Sequence, residues 1–112
     1  MSKRPGKNKS NLEETKRKFL DIARQEFTEY GYADASTSRI VESSGMARGS
    51  LYYHFGDKNG LFEAVFRDIL LEGYQKITAE TDEIPDPWEA VKTGSHKFLD
   101  LCMNEQYRKI VL

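Results

Sequence analysis

The stretch that decides the fold is Gly45-Met-Ala-Arg-Gly-Ser-Leu-Tyr-Tyr-His-Phe55. Its first residue, Gly45, most readily adopts the left-handed backbone of a tight turn. The residues that follow suit a short helix from Arg48 to His54 in which Leu51 points inward. Before the turn, Thr37 is the expected N-cap of another short helix, which ends at Gly45. Two short helices joined by a glycine turn are the outline of a helix-turn-helix.

A longer helix is predicted before this unit, from about Leu12 to Tyr30. Asn11 supplies a start signal and Gly31 a stop signal. Apolar residues recur between them at helical spacing, which indicates one buried face. The buried positions that lie four residues apart are Phe19, Ala23 and Phe27.

Three further helices are predicted after the helix-turn-helix. Asp57 caps a long helix whose apolar ridges continue to Ile77. The acidic stretch Glu80–Asp86 ends that helix, and Asp86-Pro-Trp-Glu89 is a strong signal for a new one. Tyr107–Leu112 resembles the first two turns of a sixth helix. No strand-like alternation occurs, so the predicted fold class is all-α.

The composition excludes several classes of protein. The 112 residues include 17 Lys+Arg, 18 Asp+Glu and one cysteine, Cys102. A lone cysteine can form neither an internal disulfide nor a thiolate zinc site, and no window approaches the ~20 consecutive apolar residues of a membrane span. The first ten residues lack the apolar block of a secretory signal. We therefore expect a cytoplasmic protein without a metal or a cofactor, in which Cys102 is a small core residue rather than a redox sensor.

Sequence motifs of enzymes are missing. The chain contains no Gly-x-Ser-x-Gly, no phosphate-binding glycine loop and no His-Glu-x-x-His. Its two histidines, His54 and His96, are 42 positions apart. Asp82, Glu83 and Asp86 are typical of an acidic linker rather than of a catalytic carboxylate pair. The sequence therefore predicts a protein that is not an enzyme.

Charge is divided unevenly along the chain. Residues 1–60 contain 11 Lys+Arg against 8 Asp+Glu, whereas residues 61–112 contain 6 against 10. In residues 1–10, four basic side chains stand among small and polar residues, so nothing offsets the entropy of ordering. We expect a disordered basic arm there, which either contacts a polyanion or acts as a solvating tail without a partner.

The helix from Arg48 to His54 has the features of an element that enters the DNA major groove. If Leu51 faces the core, Arg48 and Tyr52 share the opposite face. An arginine can fork onto O6 and N7 of a guanine, which contributes roughly 1 to 3 kcal/mol of discrimination. Gly49 costs about 1 kcal/mol inside a helix, and a close approach of the duplex would explain that cost. The alternatives are a solvated surface arginine and a partly buried tyrosine.

Polar residues on either side of that helix suit the DNA backbone. Thr37 and Ser38 place hydroxyls at the positive end of the preceding helix, where phosphate binds favourably. Tyr53, His54 and Lys58 come at or beyond the end of the next helix, where they can meet flanking phosphates. The alternatives are that Thr37 only caps its helix and that His54 is only a hydrogen-bonded histidine at a helix end.

Several of these stretches together match the pattern of a known family. They are Phe27-Thr-Glu-Tyr-Gly31-Tyr, Thr37-Ser-Arg-Ile40-Val, Gly45-Met-Ala-Arg-Gly49-Ser-Leu51-Tyr52-Tyr-His54-Phe55, and Lys58 with Leu61. From about Lys16 to Phe66 the chain thereby resembles the tetracycline-repressor (TetR) family of bacterial transcriptional regulators. The most specific part is Gly-x-Leu-Tyr-x-His-Phe with a lysine three residues later.

The resemblance implies a three-helix unit that binds operator DNA and a long fourth helix that connects it to the first helices of a helical regulatory domain. It also implies a sequence-specific repressor that binds a palindromic double-stranded operator as a homodimer and is released by a small-molecule effector. The implied DNA-binding residues are Thr37, Ser38, Arg48, Gly49, Tyr52, Tyr53, His54 and Lys58, with Leu51 and Phe55 at core positions. The expected effector pocket is lined by Phe66, Leu70, Trp88, Val91 and Phe98, for which the alternative is a plain core.

Two features depart from the family pattern. Ala47 stands where the family usually has a capping residue, and loss of such a cap costs about 0.5 to 2 kcal/mol. Family members are usually nearly twice as long.

We expect an arm over residues 1–10, a helix-turn-helix domain over 11–58, and a connecting helix with a partial ligand-binding and dimerisation domain over 59–112. The alternative function is a truncated helical module whose exposed apolar stripe captures another helical protein.

Overall fold

The structure is all-α, as the sequence predicted. A computed structural model describes the backbone from Pro5 to Leu112 and the side chains from Asn11 onward. Within these residues there is no strand, and none of the helices combines the length and the apolar character needed to cross a bilayer. Two compact units divide the chain, unit 1 ending at Val65 and unit 2 comprising Phe66–Leu112. The helices are α1 (Pro5–Asp34), α2 (Thr37–Ser44), α3 (Arg48–Phe55), α4 (Lys58–Thr81), α5 (Pro87–Cys102) and α6 (Glu105–Ile110).

Helix α1 extends further at both ends than the sequence predicted. It begins at Pro5, since proline is well suited to the first helical position, and Asn11 therefore lies inside the helix. At the other end Gly31 interrupts the helical backbone with φ 77° and ψ 172°, and the helix resumes to Asp34. Residues 5–10, which were expected to belong to a disordered arm, thus have helical backbone. The arm stays a prediction for residues 1–4, which lie outside the described residues.

Unit 1 has an apolar core with an aromatic cluster at its centre. The ring of Phe27 stacks on Tyr32, with centroids 6.1 Å apart, and meets the edge of Phe62 at 5.0 Å. Phe55, predicted as a core residue, is half-buried and contacts Phe19 edge to face at 6.3 Å. The predicted stripe on α1 is confirmed. The most deeply buried side chains of the unit are Phe19, Ala23, Phe27, Ile40, Leu51, Leu61 and Val65.

The turn between α2 and α3 confirms the predicted helix-turn-helix. Gly45 lies in the left-handed region (φ 71°, ψ 10°), and its N–H donates to the carbonyl oxygen of Val41 at 3.2 Å. Buried Ser44 also fixes the turn. Its hydroxyl donates to the same Val41 oxygen at 2.7 Å and accepts from the backbone N–H of Met46 at 3.0 Å. The sequence did not single out this serine.

The starts of α2 and α3 differ in how they are capped. The Oγ of Ser36 accepts a hydrogen bond from the backbone N–H of Arg39 at 3.2 Å, so the predicted cap, Thr37, was wrong by one residue. Ser36 has extended backbone (φ −122°, ψ 120°), which aims its hydroxyl at the first turn, whereas Thr37 is already helical. Helix α3 follows Ala47, which makes no side-chain capping hydrogen bond, as the sequence indicated.

A tight connection joins α3 to α4. Asp57 caps α4 as predicted, because its Oδ1 accepts from the backbone N–H of Gly60 at 2.7 Å. A Cβ on Gly60 would collide with the carbonyl oxygen of Phe55, and it would lie 3.2 Å from the carbonyl carbon of the same residue. Only glycine therefore fits at this position, which the sequence did not reveal.

Unit 2 is built on the second half of α4. Gly73 lets α4 and α5 approach each other, because a Cβ there would lie 2.6 Å from Leu101 Cδ2. Asp86 caps α5 as predicted, accepting from the N–H of Trp88 at 3.3 Å. Helix α5 buries no residue fully, and Cys102, predicted as a core residue, is only half-buried. The buried apolar side chains of α6 are Tyr107 and Ile110.

Candidate nucleic-acid interface

The side of α3 opposite Leu51 is exposed and polar. Leu51 is fully buried, whereas Tyr52 is 39% exposed and Tyr53 is 74% exposed. Arg48, on the same side as Tyr52, is also exposed. This confirms the predicted register of the helix, in which one apolar residue faces the core and the polar side chains are available to a partner.

The structure brings four of the eight predicted DNA-binding residues together. The Nη2 of Arg48 donates to the hydroxyl of Ser38 at 2.9 Å. Hydrogen bonds from Thr37, the larger effect, and from Arg48 lower the pKa of the Tyr52 hydroxyl. The first turn of α2 and the exposed side of α3 thus form one polar cluster, which we call the α2–α3 cluster, consisting of Thr37, Ser38, Arg48 and Tyr52.

Gly49 lies next to this cluster on α3. A Cβ at this position would meet no atom within 4 Å, so packing within the chain does not require a glycine. A glycine in a helix costs about 1 kcal/mol relative to alanine. The open space above its backbone leaves room for a partner that approaches the helix closely.

The other predicted residues lie apart from the α2–α3 cluster. The ammonium of Lys58 donates to the carbonyl oxygen of Ala33 at 3.2 Å and lies 4.7 Å from the ring centroid of Tyr32. Lys58 therefore joins the start of α4 to the end of α1. Tyr53 and half-buried His54 contact each other edge to face at 5.1 Å near the end of α3.

A buried carboxylate that the sequence analysis missed fixes α2 on α1. Glu26 is 9% exposed, and its Oε2 accepts from the backbone N–H of Ser36 at 2.9 Å and from Arg39 Nε at 2.8 Å. This hydrogen bond to Glu26 raises the pKa of the Arg39 guanidinium, which also lies 4.0 Å from the ring centroid of Tyr30. The sequence does indicate that Glu26 is buried, because this residue occupies an inward position of the apolar stripe on α1, seven residues after Phe19.

Comparison with known proteins identifies this helix-turn-helix unit. Residues 19–65 match the family described as bacterial regulatory proteins, tetR family. A crystal structure of a TetR-family transcriptional regulator from Pectobacterium atrosepticum aligns with a TM-score of 0.76 at 35% identity, over 91% of this chain and 53% of that one. The helix-turn-helix unit of this chain is thus similar to that of the TetR family.

Curated relatives that are named as HTH-type transcriptional regulators agree with this similarity. The chain is 41% identical over 64 residues to the HTH-type transcriptional repressor Rv1474c of Mycobacterium tuberculosis, covering 57% of this chain and 34% of that protein. It is 35% identical over 109 residues to the HTH-type transcriptional regulator AcrR of Shigella flexneri, covering 95% of this chain and 50% of AcrR. The chain thus spans between a third and a half of the length of these two relatives.

Unit 2 contains a cavity in the part of the chain where the sequence predicted an effector pocket. Its volume is about 390 Å³, and the ion pair between Lys97 Nζ and Glu80 Oε2, 3.0 Å long, lies at its wall. The five predicted pocket residues are not among its lining. Phe66 is half-buried and the other four are exposed, Trp88 most of all at 64%. The lining residues are Gly73, Lys76, Ile77, Ala79, Glu80, Lys97, Asp100, Leu101 and Asn104.

Metal ligands do not converge anywhere in the described part of the chain. No three His, Cys, Asp or Glu side chains among residues 11–112 lie close enough together to hold a metal ion. The chemistry that the site offers is that of hydrogen-bond donors and cations, concentrated on α3 and on the first turn of α2.

Proposed function

We propose that this chain is the DNA-reading part of a sequence-specific transcriptional repressor that binds double-stranded DNA. The observation that carries the proposal is the α2–α3 cluster, in which two exposed side chains of α3 are held by two hydroxyls of α2. The names of the relatives, which are transcriptional repressors and regulators, point to the same activity.

In this proposal α3 enters the major groove. Arg48 occupies its first turn, and the leading residues of a recognition helix are those that meet base edges. The guanidinium of Arg48 has five N–H donors, of which Ser38 and Tyr52 use two, so three remain, and a fork onto O6 and N7 of a guanine needs two. The open backbone at Gly49 allows the helix to lie close to the duplex. Tyr53, His54 and Lys58 provide contacts to the flanking phosphates.

The finer parts of the proposal are a homodimer on a palindromic operator and release by a small-molecule effector. A two-fold dimer places its recognition helices one helical turn of DNA apart, about 34 to 36 Å, or a multiple of that distance. The cavity in unit 2 supports an effector, because its volume of about 390 Å³ lies in the range of ligand pockets. A regulator of this kind works where the chromosome is, in the bacterial cytoplasm at the nucleoid.

Selection of randomised duplex DNA tests this function. We expect the chain to enrich one two-fold symmetric site at moderate salt and the Tyr52→Ala variant to lose that enrichment, because Tyr52 belongs to the α2–α3 cluster. Leu12→Ala is the control. It removes an exposed side chain that lies on α1, outside the α2–α3 cluster, and it should leave the enrichment unchanged. Retention of every duplex alike, with no preferred sequence, would contradict the proposal and favour the alternative of a helical interaction module.

Two substitutions separate base reading from phosphate binding. Arg48→Ala should relax the preference at one base pair per half-site, with a loss of roughly 1 to 3 kcal/mol there. Lys58→Ala should weaken binding to all sequences alike and reduce the salt slope by about one unit. Equilibrium binding to the selected duplex and to single-base variants, at several salt concentrations, measures both effects. An unchanged preferred site in Arg48→Ala would show that Arg48 does not read a base.

A further inference from the structure

The hydroxyl of Ser38 has a hydrogen-bond partner within the chain that its sequence position does not indicate. The sequence assigned its hydroxyl to a DNA phosphate, but in the structure the hydroxyl accepts a hydrogen bond from Nη2 of Arg48, ten residues further along the chain. We propose that Ser38 is a positioning residue that sets the base specificity of Arg48 by holding its guanidinium, rather than a phosphate contact. This inference rests on the proposed function, because it presupposes that Arg48 reads a base.

The contact has a physical benefit for recognition. An arginine on the exposed side of a helix samples many rotamers, and fixing it on DNA costs up to about 2 kcal/mol of side-chain entropy. A hydrogen bond at 2.9 Å to a neighbouring helix lowers that cost before the DNA arrives. This contact and the one to Tyr52 occupy two of the five N–H donors, so the forked contact to a guanine still has the donors it needs.

The helix that carries Ser38 is itself fixed. Its first turn is bound to α1 through buried Glu26, which accepts from the backbone N–H of Ser36 at 2.9 Å and from the guanidinium of Arg39. A hydroxyl on this turn therefore has a defined position relative to α3. The series Glu26, Ser36, Ser38 and Arg48 connects the core of unit 1 to the side chain proposed to read the base.

The two roles of Ser38 predict different losses. A phosphate contact is made on every sequence, so its removal weakens binding to all duplexes by the same factor. A positioning contact acts only through Arg48, so its removal weakens binding only where Arg48 meets its preferred base. For the same reason its removal has no effect in a protein that lacks Arg48.

A double-mutant cycle on the full chain tests this difference. Ser38→Ala, Arg48→Ala and the double variant are measured against the selected duplex and against a duplex changed at the base pair that Arg48 reads. We expect Ser38→Ala to lose about 3- to 10-fold in affinity on the selected duplex, as for one hydrogen bond, and nothing on the changed duplex or in the Arg48→Ala background. Ser38→Thr keeps the hydroxyl and should restore binding.

Matched controls make the outcomes unambiguous. Ser43→Ala removes an exposed serine from the same helix and should leave all affinities unchanged. Far-ultraviolet circular dichroism confirms that each variant is folded. An equal loss for Ser38→Ala on both duplexes and in both backgrounds would overturn the positioning role and restore the phosphate contact, with DNA binding intact. Failure of the unsubstituted chain to select any site would instead overturn the proposed function.

Discussion

Truncation of Phe27 to alanine is expected to lower the free energy of unfolding of unit 1 by about 3 to 5 kcal/mol. Phe27 is 2% exposed, and its ring contacts both Tyr32 and Phe62, so the substitution leaves a cavity at the centre of the aromatic cluster. Denaturant unfolding followed by far-ultraviolet circular dichroism measures the change.

Phe98→Ala is the matched control for this prediction. It makes the same chemical change on α5, where Phe98 is 44% exposed, so we expect a loss of about 1 kcal/mol or less. If the two variants lost the same amount of stability, the aromatic cluster would not be the centre of the core of unit 1.

Gly60→Ala is expected to destabilise the chain by about 3 kcal/mol, which is unusually large for the addition of one methyl group. The new Cβ would collide with the backbone carbonyl of Phe55, and backbone at a helix end cannot turn away as a flexible side chain can. The hydrogen bond from the Gly60 N–H to Asp57 would be disturbed as well. Because this connection orients α3, we expect DNA binding to fall together with thermal stability.

Gly49→Ala is expected to have the opposite effect on stability. A Cβ on Gly49 would meet no atom within 4 Å, and alanine favours a helix by about 1 kcal/mol over glycine, so this variant should be slightly more stable. Its DNA binding should nevertheless weaken, because the methyl group occupies the space proposed for the duplex. A Gly60→Ala variant as stable as Gly49→Ala would refute the steric account of the α3–α4 connection.

Local signals in the sequence predicted much of the fold. Gly45, Asp57 and Asp86 each act within a few residues of their own position, and the structure confirms the turn and the two helix caps. The inward position of Leu51 followed from helical spacing alone and is confirmed as well. Such features depend on backbone geometry and periodicity, which a short window of sequence contains.

Features that depend on contacts between distant residues were not predicted. Glu26 and Arg39 are 13 positions apart, and only the packing of α2 on α1 brings them together. The requirement for glycine at position 60 comes from the path of the preceding helix end rather than from any local motif. The lining of the cavity in unit 2 likewise depends on how α5 crosses α4, which helical spacing does not determine.

The same distinction between local features and long-range contacts applies to the eight candidate DNA-binding residues. Their presence on or near α3 followed from the motif, but their mutual contacts did not. The hydrogen bond between Ser38 and Arg48 spans ten residues and two helices, so it could be found only in the structure. The hydrogen bond from Lys58 to the carbonyl oxygen of Ala33, 25 positions earlier, is another contact of this kind.

The location of the only tryptophan has a spectroscopic consequence. Trp88 lies in unit 2 and is 64% exposed, so its indole is already largely surrounded by water in the folded chain. Its emission maximum should shift little on unfolding, and selective excitation of tryptophan reports nothing directly from the helix-turn-helix. Four of the six tyrosines, by contrast, lie in unit 1. Tyrosine emission therefore reports mainly on unit 1, and quenching of Trp88 by a small solute reports on unit 2.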